Sequence, residues 1–133
     1  MTVTKNMLNL DIYNIAVMLT DAFKQEVNLP VKINFYLQKN ITTILTAAKD
    51  IDKTRNEIIK KYCVLDDANQ YIVSKDDIDN VNQDLETLLA LTQDIIVYPL
   101  YLEDFGEITL STSQMAAIMF MIEEWEKGGQ YNV

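Results

Sequence analysis

Eight positions spaced alternately four and three residues apart dominate the sequence between residues 37 and 62. They are Leu37, Ile41, Ile44, Ala48, Ile51, Arg55, Ile58 and Tyr62. Heptad spacing of this kind places the side chains along one stripe of an α-helix. A helix from residue 31 to residue 62 would be roughly 48 Å long, at about 1.5 Å per residue. A domain of 133 residues cannot cover such a helix completely, so part of the heptad stripe must pack on another helix or on a second copy of the chain.

Arg55 is the charged residue in the heptad stripe. A polar residue at such a position can set the register or the oligomeric state of packed helices. Alternatively, its aliphatic stem lies along the stripe while the guanidinium group reaches water. We expect a self-association seam formed by Leu37, Ile41, Ile44, Ala48, Ile51, Arg55 and Ile58.

Three shorter helices are predicted around the long one. Apolar residues at helical spacing indicate the first over 8–23 and the third from Ile78 to about Thr92, preceded by a capping-box pattern at Ser74 and Asp77. A second capping box, Ser111-Thr-Ser-Gln114, opens the last helix. Its apolar face runs from Met115 to Trp125, Gly128 and Gly129 end it, and residues 128–133 are expected to form a flexible tail.

Short β-branched and aromatic runs predict the strands. Residues 63–65 and 70–73 flank a turn-forming cluster at 66–69, which is typical of a hairpin. The segment 95–98 is a further strand, which Pro99 ends or confines to an edge. We therefore predict one domain, residues 1–133, of helix-dominated α+β class, with four helices and a small antiparallel sheet from residues 63–73 and 95–110.

Missing residue types argue against catalysis. The chain has no histidine, which removes Ser-His-Asp and Cys-His hydrolases and histidine zinc sites. It has three glycines and no Gly-rich loop that could hold a phosphate. The single cysteine, Cys63, has no histidine to activate it and is interpreted as a small buried residue. We expect a protein without enzymatic activity, metal or cofactor.

Charge divides the chain into two unlike halves. Residues 1–62 carry nine basic and six acidic side chains, a net charge of +3, whereas residues 63–133 carry two basic and fourteen acidic, a net charge of −12. A cluster of the acidic side chains comprises Asp66, Asp67, Asp76, Asp77, Asp79, Asp84 and Glu86. They form either an ordinary solvated face or a docking surface for a basic partner, such as the nucleic-acid-binding surface of another protein. Direct binding of nucleic acid is disfavoured, because acidic residues outnumber basic ones.

No apolar run approaches the roughly 20 residues of a membrane span. The first residues, Met-Thr-Val-Thr-Lys, lack the charge and apolar pattern of a signal peptide. The expected location is the cytoplasm of the cell in which the protein is made.

The layout resembles that of small uncharacterised proteins of phages and prophages in low-GC Gram-positive bacteria. The segments that carry this resemblance are 28–32, Lys39-Asn40, 58–62, the Asp-rich turn and 119–123. The resemblance implies a phage accessory or morphogenesis protein in the host cytoplasm, or in the virion if it takes part in assembly. We expect either a protein that binds another protein through the acidic cluster, inhibiting a host defence or nucleic-acid-handling complex, or a homo-oligomeric virion or assembly component that self-associates through the long helix.

Overall fold

The computed structural model describes residues 1–24 and 27–123. Four α-helices, four short strands and two 3₁₀ turns follow one another along the chain. In order they are β1 (Val3–Leu8), α1 (Asn9–Ala22), α2 (Val31–Tyr62), β2 (Cys63–Leu65), β3 (Tyr71–Val73), α3 (Ile78–Ala90), β4 (Thr92–Val97), a 3₁₀ turn (Leu102–Phe105), α4 (Thr112–Ile118) and a second 3₁₀ turn (Met119–Met121). The prediction of a helix-dominated α+β fold with one long helix is confirmed.

Helix α2 supports the core of the molecule. Pro30 precedes its first residue, as suits the missing N–H and fixed φ of proline at a helix start. One face of α2, from Ile33 to Ile51, is buried in the core, where α1 and β4 pack against the helix. Beyond Ile51 the helix has no buried residue, although Ile58 still packs against the edge of the core, and the helix contacts α3 and β2.

The strands form two separate antiparallel pairs rather than one sheet. The predicted hairpin is present, with Val64 opposite Ile72 and Leu65 opposite Tyr71. The predicted strand at 95–98 begins earlier, at Thr92, and pairs with β1 at the N-terminus instead of joining the hairpin. Residues 98–110 add no further strand: they contain the first 3₁₀ turn and Gly106, whose φ of 63° bends the chain away.

The N-terminal strand was not predicted, because a lysine stands among its inward-facing residues. Val3, Lys5 and Met7 face the protein, and the residues between them face water. The ammonium group of Lys5 is nonetheless satisfied, since Nζ lies 2.8 Å from Glu123 Oε1 and donates to the carbonyl of Phe120. Partners 115 and 118 residues away make the strand stable, and no local pattern reveals them.

The last helix is shorter than the sequence suggests. Its capping box is confirmed: the Gln114 N–H donates to Ser111 Oγ at 3.1 Å, and the Ser111 N–H donates to Gln114 Oε1 at 2.9 Å. The helix ends at Ile118, because the carbonyl of Met121 and the N–H of Glu123 are both bonded to Leu100. Of the predicted continuation, residues 119–121 form the second 3₁₀ turn instead of α-helix. Trp125 and the predicted tail at 128–133 lie outside the described residues.

Candidate functional site

The acidic cluster lies on the part of the molecule that extends beyond the core. We call residues 63–86 the acidic end: it comprises the β2–β3 hairpin, the turn that follows it and the first turns of α3. It carries seven acidic side chains and one basic side chain, Lys75. Helix α3 is attached to the last turns of α2 through Val81 and Leu88, which are buried.

Asp84 has a structural role. Its Oδ2 accepts a hydrogen bond of 2.9 Å from the Tyr62 hydroxyl and lies 3.9 Å from Lys61 Nζ. Tyr62, through a hydrogen bond and its charge, and then Asp84, raise the pKa of Lys61 above its ordinary 10.5. A lysine is charged at neutral pH in any case, so the raised pKa only extends the charged form of Lys61 further into the alkaline range. This contact joins α3 to the end of α2, so Asp84 contributes to the fold.

Asp66 also serves the fold, because it closes the hairpin turn. Its Oδ1 accepts from the N–H groups of Ala68, at 2.8 Å, and Gln70, at 2.9 Å. Asn69 completes the turn with a φ of 60°, a left-handed conformation that asparagine tolerates better than most residues.

Asp77 differs from its predicted role in a capping box. It is the N-cap residue of α3, but its side chain makes no bond to the helix; instead Oδ2 accepts from the Ser74 hydroxyl at 3.2 Å. The backbone N–H of Asp77 donates to the Ser74 carbonyl at 3.1 Å, which closes a tight turn. Ser74 and Asp77 bond each other because this turn brings their side chains together before the helix begins.

The other four acidic side chains of the cluster have no structural role of this kind. Within the described part of the chain, Asp67, Asp76, Asp79 and Glu86 are exposed and make no side-chain hydrogen bond or ion pair. Their carboxylates are therefore available to a partner, whereas Asp66, Asp77 and Asp84 are already engaged. The structure thus divides the predicted acidic cluster into carboxylates that are bonded within the chain and carboxylates that are not.

Exposed apolar side chains accompany these carboxylates. Val64, which is 65% exposed, and its cross-strand neighbour Ile72 lie on one face of the hairpin, and Leu65 and Tyr71 lie nearer its tip on the opposite face. All four are half exposed or nearly so. A two-stranded hairpin is marginally stable in water unless something covers one face. Apolar groups bordered by charged ones are typical of a protein-binding surface.

Most of the predicted self-association seam lies in the core of this chain. Leu37, Ile44, Ala48 and Ile51 are buried beneath α1 and β4, and Ile41 is partly buried with them. Arg55 lies at the point where α2 leaves the core and is exposed, while Ile58 is partly covered. The heptad spacing correctly identified which face of α2 is buried. It did not identify the elements that cover this face, since any apolar surface could cover it.

Methionine-rich α4 and the turn after it divide between interior and surface. Ile118 and Met121 are fully buried, as expected of core residues, whereas Met119 is 59% exposed. Cys63 is half-buried at the first residue of β2.

Two buried amides were missed by the sequence analysis. Asn40 is 1% exposed and bonds both the N–H and the C=O of Tyr98, each at 2.8 Å. Asn9 donates to the Leu88 carbonyl at 2.9 Å and accepts from Gln93 at 2.8 Å. A signal existed for Asn40: it stands three residues after Leu37 and four before Ile44, a core position for which a polar residue needs a buried partner.

Among residues 1–24 and 27–123, no three histidine, cysteine or acidic side chains come close enough to hold a metal ion. None of the helices in these ranges combines the length and apolar content of a membrane span.

Comparison with known proteins yields no relative: no protein-family model, no curated protein and no solved structure matches this chain.

Proposed function

We propose that this chain is a non-enzymatic phage accessory protein that binds another protein through its acidic end and thereby inhibits a host defence or nucleic-acid-handling complex. The resemblance of the sequence layout to small phage proteins motivates the biological setting. The observation that carries the binding proposal is structural: the acidic end contains both exposed apolar hairpin side chains and four exposed carboxylates that are not bonded within the chain.

Charge favours a basic partner. Seven acidic side chains and one basic side chain give the acidic end a net charge of −6. A field of one sign attracts an oppositely charged surface and accelerates association at low salt. The basic partners that this surface fits best are those that bind phosphate groups, because carboxylates on a protein surface can occupy the positions of phosphates.

The apolar side chains supply the binding energy that charge alone does not. Exposed ion pairs contribute little to affinity, about 0–1 kcal/mol each. Interfaces instead gain most of their energy from a few apolar or aromatic side chains that become fully desolvated. Val64 and Ile72, which share one face of the hairpin, are in place for that role, with Asp67 and Asp76 in neighbouring loops.

The alternative, a virion or assembly protein that self-associates through the long helix, has less support. Its contact residues Leu37, Ile44 and Ile51 are each no more than 2% exposed. A second copy could reach them only after α1 and β4 had separated from α2.

Capture from a lysate of a low-GC Gram-positive host, followed by direct binding measurements with the captured protein, tests the proposal. A fourfold variant, Asp67→Lys, Asp76→Lys, Asp79→Lys and Glu86→Lys, reverses the unengaged carboxylates. A matched control reverses four exposed acidic residues elsewhere, Asp11, Asp50, Glu57 and Glu107. Both variants change the net charge by the same amount.

The captured protein should be basic, and its affinity for the fourfold variant should fall at least tenfold, while the control stays within about threefold. Affinity for the unmodified chain should also fall steeply between about 50 and 200 mM salt. Equal losses in both variants would show that only net charge matters. Unchanged affinity and salt dependence in the fourfold variant would refute the proposal.

A further inference from the structure

Strand β4 has two edges, and β1 occupies one of them. At the start of this ladder the Asn9 N–H donates to the Leu91 carbonyl at 2.8 Å. In an antiparallel pair, hydrogen-bonded residues alternate with residues whose backbone groups point the other way. The N–H and C=O groups of Gln93, Ile95 and Val97 therefore point towards β1, and those of Asp94 and Ile96 point to the opposite edge.

Asn40 supports this assignment independently. Tyr98 is the next residue in the same alternation, and its N–H and C=O are bonded to the side-chain amide of Asn40, which belongs to α2 and not to β1. At Tyr98, the side-chain amide of Asn40 thus makes the two hydrogen bonds that a neighbouring strand would otherwise make. No other described residue makes a hydrogen bond with the backbone of Asp94 or Ile96. The open edge of β4 therefore extends from Asp94 through Ile96 and ends at Tyr98, whose backbone is bonded to Asn40.

A groove runs beside this open edge. Its volume is about 630 Å³. One wall is formed by the side chains of Phe35, Lys39 and Thr42 on α2, and the other by Ile96 and Tyr98 on β4. Phe35 is 57% and Ile96 54% exposed, so the groove holds apolar surface in contact with water.

The charge of the groove's helix wall favours an acidic occupant. Lys39 Nζ lies 5.1 Å from the centre of the Phe35 ring and 5.4 Å from that of Tyr98. Among the described residues, no carboxylate forms an ion pair with Lys39. Lys32, seven residues earlier, is exposed on the same side of the helix. Asp94 also lines the groove and keeps its negative charge, but its carboxylate is held on the side of β1, where it accepts a bond of 2.9 Å from Asn6.

We propose that the open edge of β4 binds an extended, acidic segment of another protein by strand addition. The segment pairs its backbone with Asp94 and Ile96, inserts alternate side chains against Phe35 and Ile96, and places a carboxylate near Lys39. The other candidate occupant, a second copy of this chain, is distinguished from such a segment by the tests below. The site lies about 23 residues along α2 from the hairpin, roughly 35 Å at 1.5 Å per residue, so it is independent of the acidic end.

Amide hydrogen exchange in the free protein tests the premise. The amides of Ile95 and Val97 should exchange slowly because β1 protects them, and those of Asp94 and Ile96 should exchange at least tenfold faster. Equal protection at all four amides would mean that the edge is already paired, and would overturn the proposal.

Selection from a displayed library of random heptapeptides tests binding, with the enriched peptides synthesised and titrated into the intact protein. Enriched peptides should alternate apolar residues and carry a carboxylate. Ile96→Pro should weaken their binding at least tenfold, because proline removes an N–H from the open edge and leaves the β1 ladder intact. Thr4→Pro is the matched control: Thr4 is the partner of Ile96 in register and presents its N–H to the far edge of β1.

Two further measurements keep the result decisive if a proline variant fails to fold. N-methylation of alternate peptide amides should abolish binding to the unmodified protein, and Lys39→Gln should weaken it several-fold. The fourfold reversal in the acidic end should leave peptide binding unchanged, which separates the failure of one site from that of the other. Failure to enrich any peptide, binding that survives N-methylation, or a dimer in solution that Ile96→Pro disrupts would each overturn the proposal.

Discussion

At the scale of single residues, a few polar side chains hold distant segments together. Asn40 joins α2 to the end of β4, Asn9 joins α1 to α3, and Lys5 joins β1 to the turn after α4. Each of these groups is partly or wholly buried and has found a partner; the described residues contain no buried side-chain nitrogen or oxygen atom without one. A buried polar group without a partner costs more than its hydrogen bond contributes, so such residues determine which packing is allowed.

Replacing Asn40 should therefore destabilise the protein strongly. Asn40→Leu keeps the side-chain volume but leaves the N–H and C=O of Tyr98 unpaired, at a cost of about 1–3 kcal/mol for each buried group. We expect the free energy of unfolding, measured by urea denaturation, to fall by at least about 2 kcal/mol. Asn34→Ala, at an exposed position of the same helix, should change it by less than about 0.5 kcal/mol. A small effect at Asn40 would show that water replaces the amide.

At the scale of elements, the hairpin and α2 have very different support. One face of the first five turns of α2 is buried in the core, whereas β2 and β3 contact mainly each other. A two-stranded sheet of three residues per strand depends on its turn, and here the turn depends on the Asp66 carboxylate. The hairpin should therefore open locally while the core stays closed.

Asp66→Ala should accelerate amide exchange in β2 and β3 several-fold without changing exchange in α2 between Leu37 and Ile51. The physical reason is that two N–H groups of the turn lose their acceptor. Asp67→Ala, one residue away and exposed, is the control and should leave hairpin exchange unchanged. Similar acceleration in both variants would contradict the structural role assigned to Asp66 and would place it with the unengaged carboxylates.

At the scale of the whole molecule, the long helix divides the protein into a core and an extension. Its first half has apolar neighbours on α1 and β4, and its second half carries α3 and the rest of the acidic end. The two halves differ in charge as well as in burial, since the excess of acidic residues begins after residue 62. The core thus supports two separate exposed surfaces, the acidic end and the open edge of β4.

The heptad stripe should behave as a core and not as a subunit interface. Ile44→Ala should lower the free energy of unfolding by about 2–5 kcal/mol, the usual cost of removing a buried isoleucine side chain. Because the lost contacts lie within one chain, the denaturation midpoint should not depend on protein concentration in either protein. Sedimentation should give the same mass for both. A midpoint that rises with concentration would restore the self-association seam.

The sequence by itself determined the features that depend on neighbours in the chain. The 31–62 helix follows from periodicity, the hairpin from β-branched runs around Asp66–Asn69, and the Ser111 cap from residues three positions apart. Of the acidic cluster it identified the members but not their roles, which depend on contacts such as that of Asp84 with Tyr62. Only the tertiary structure decided that β1 pairs with β4, that the heptad stripe is interior, and that Asn40 completes the edge of β4. The reason is that these features join residues that are distant in the sequence, such as Asn40 and Tyr98, which are 58 positions apart. An apolar or polar pattern specifies the need for a partner but not which partner meets it.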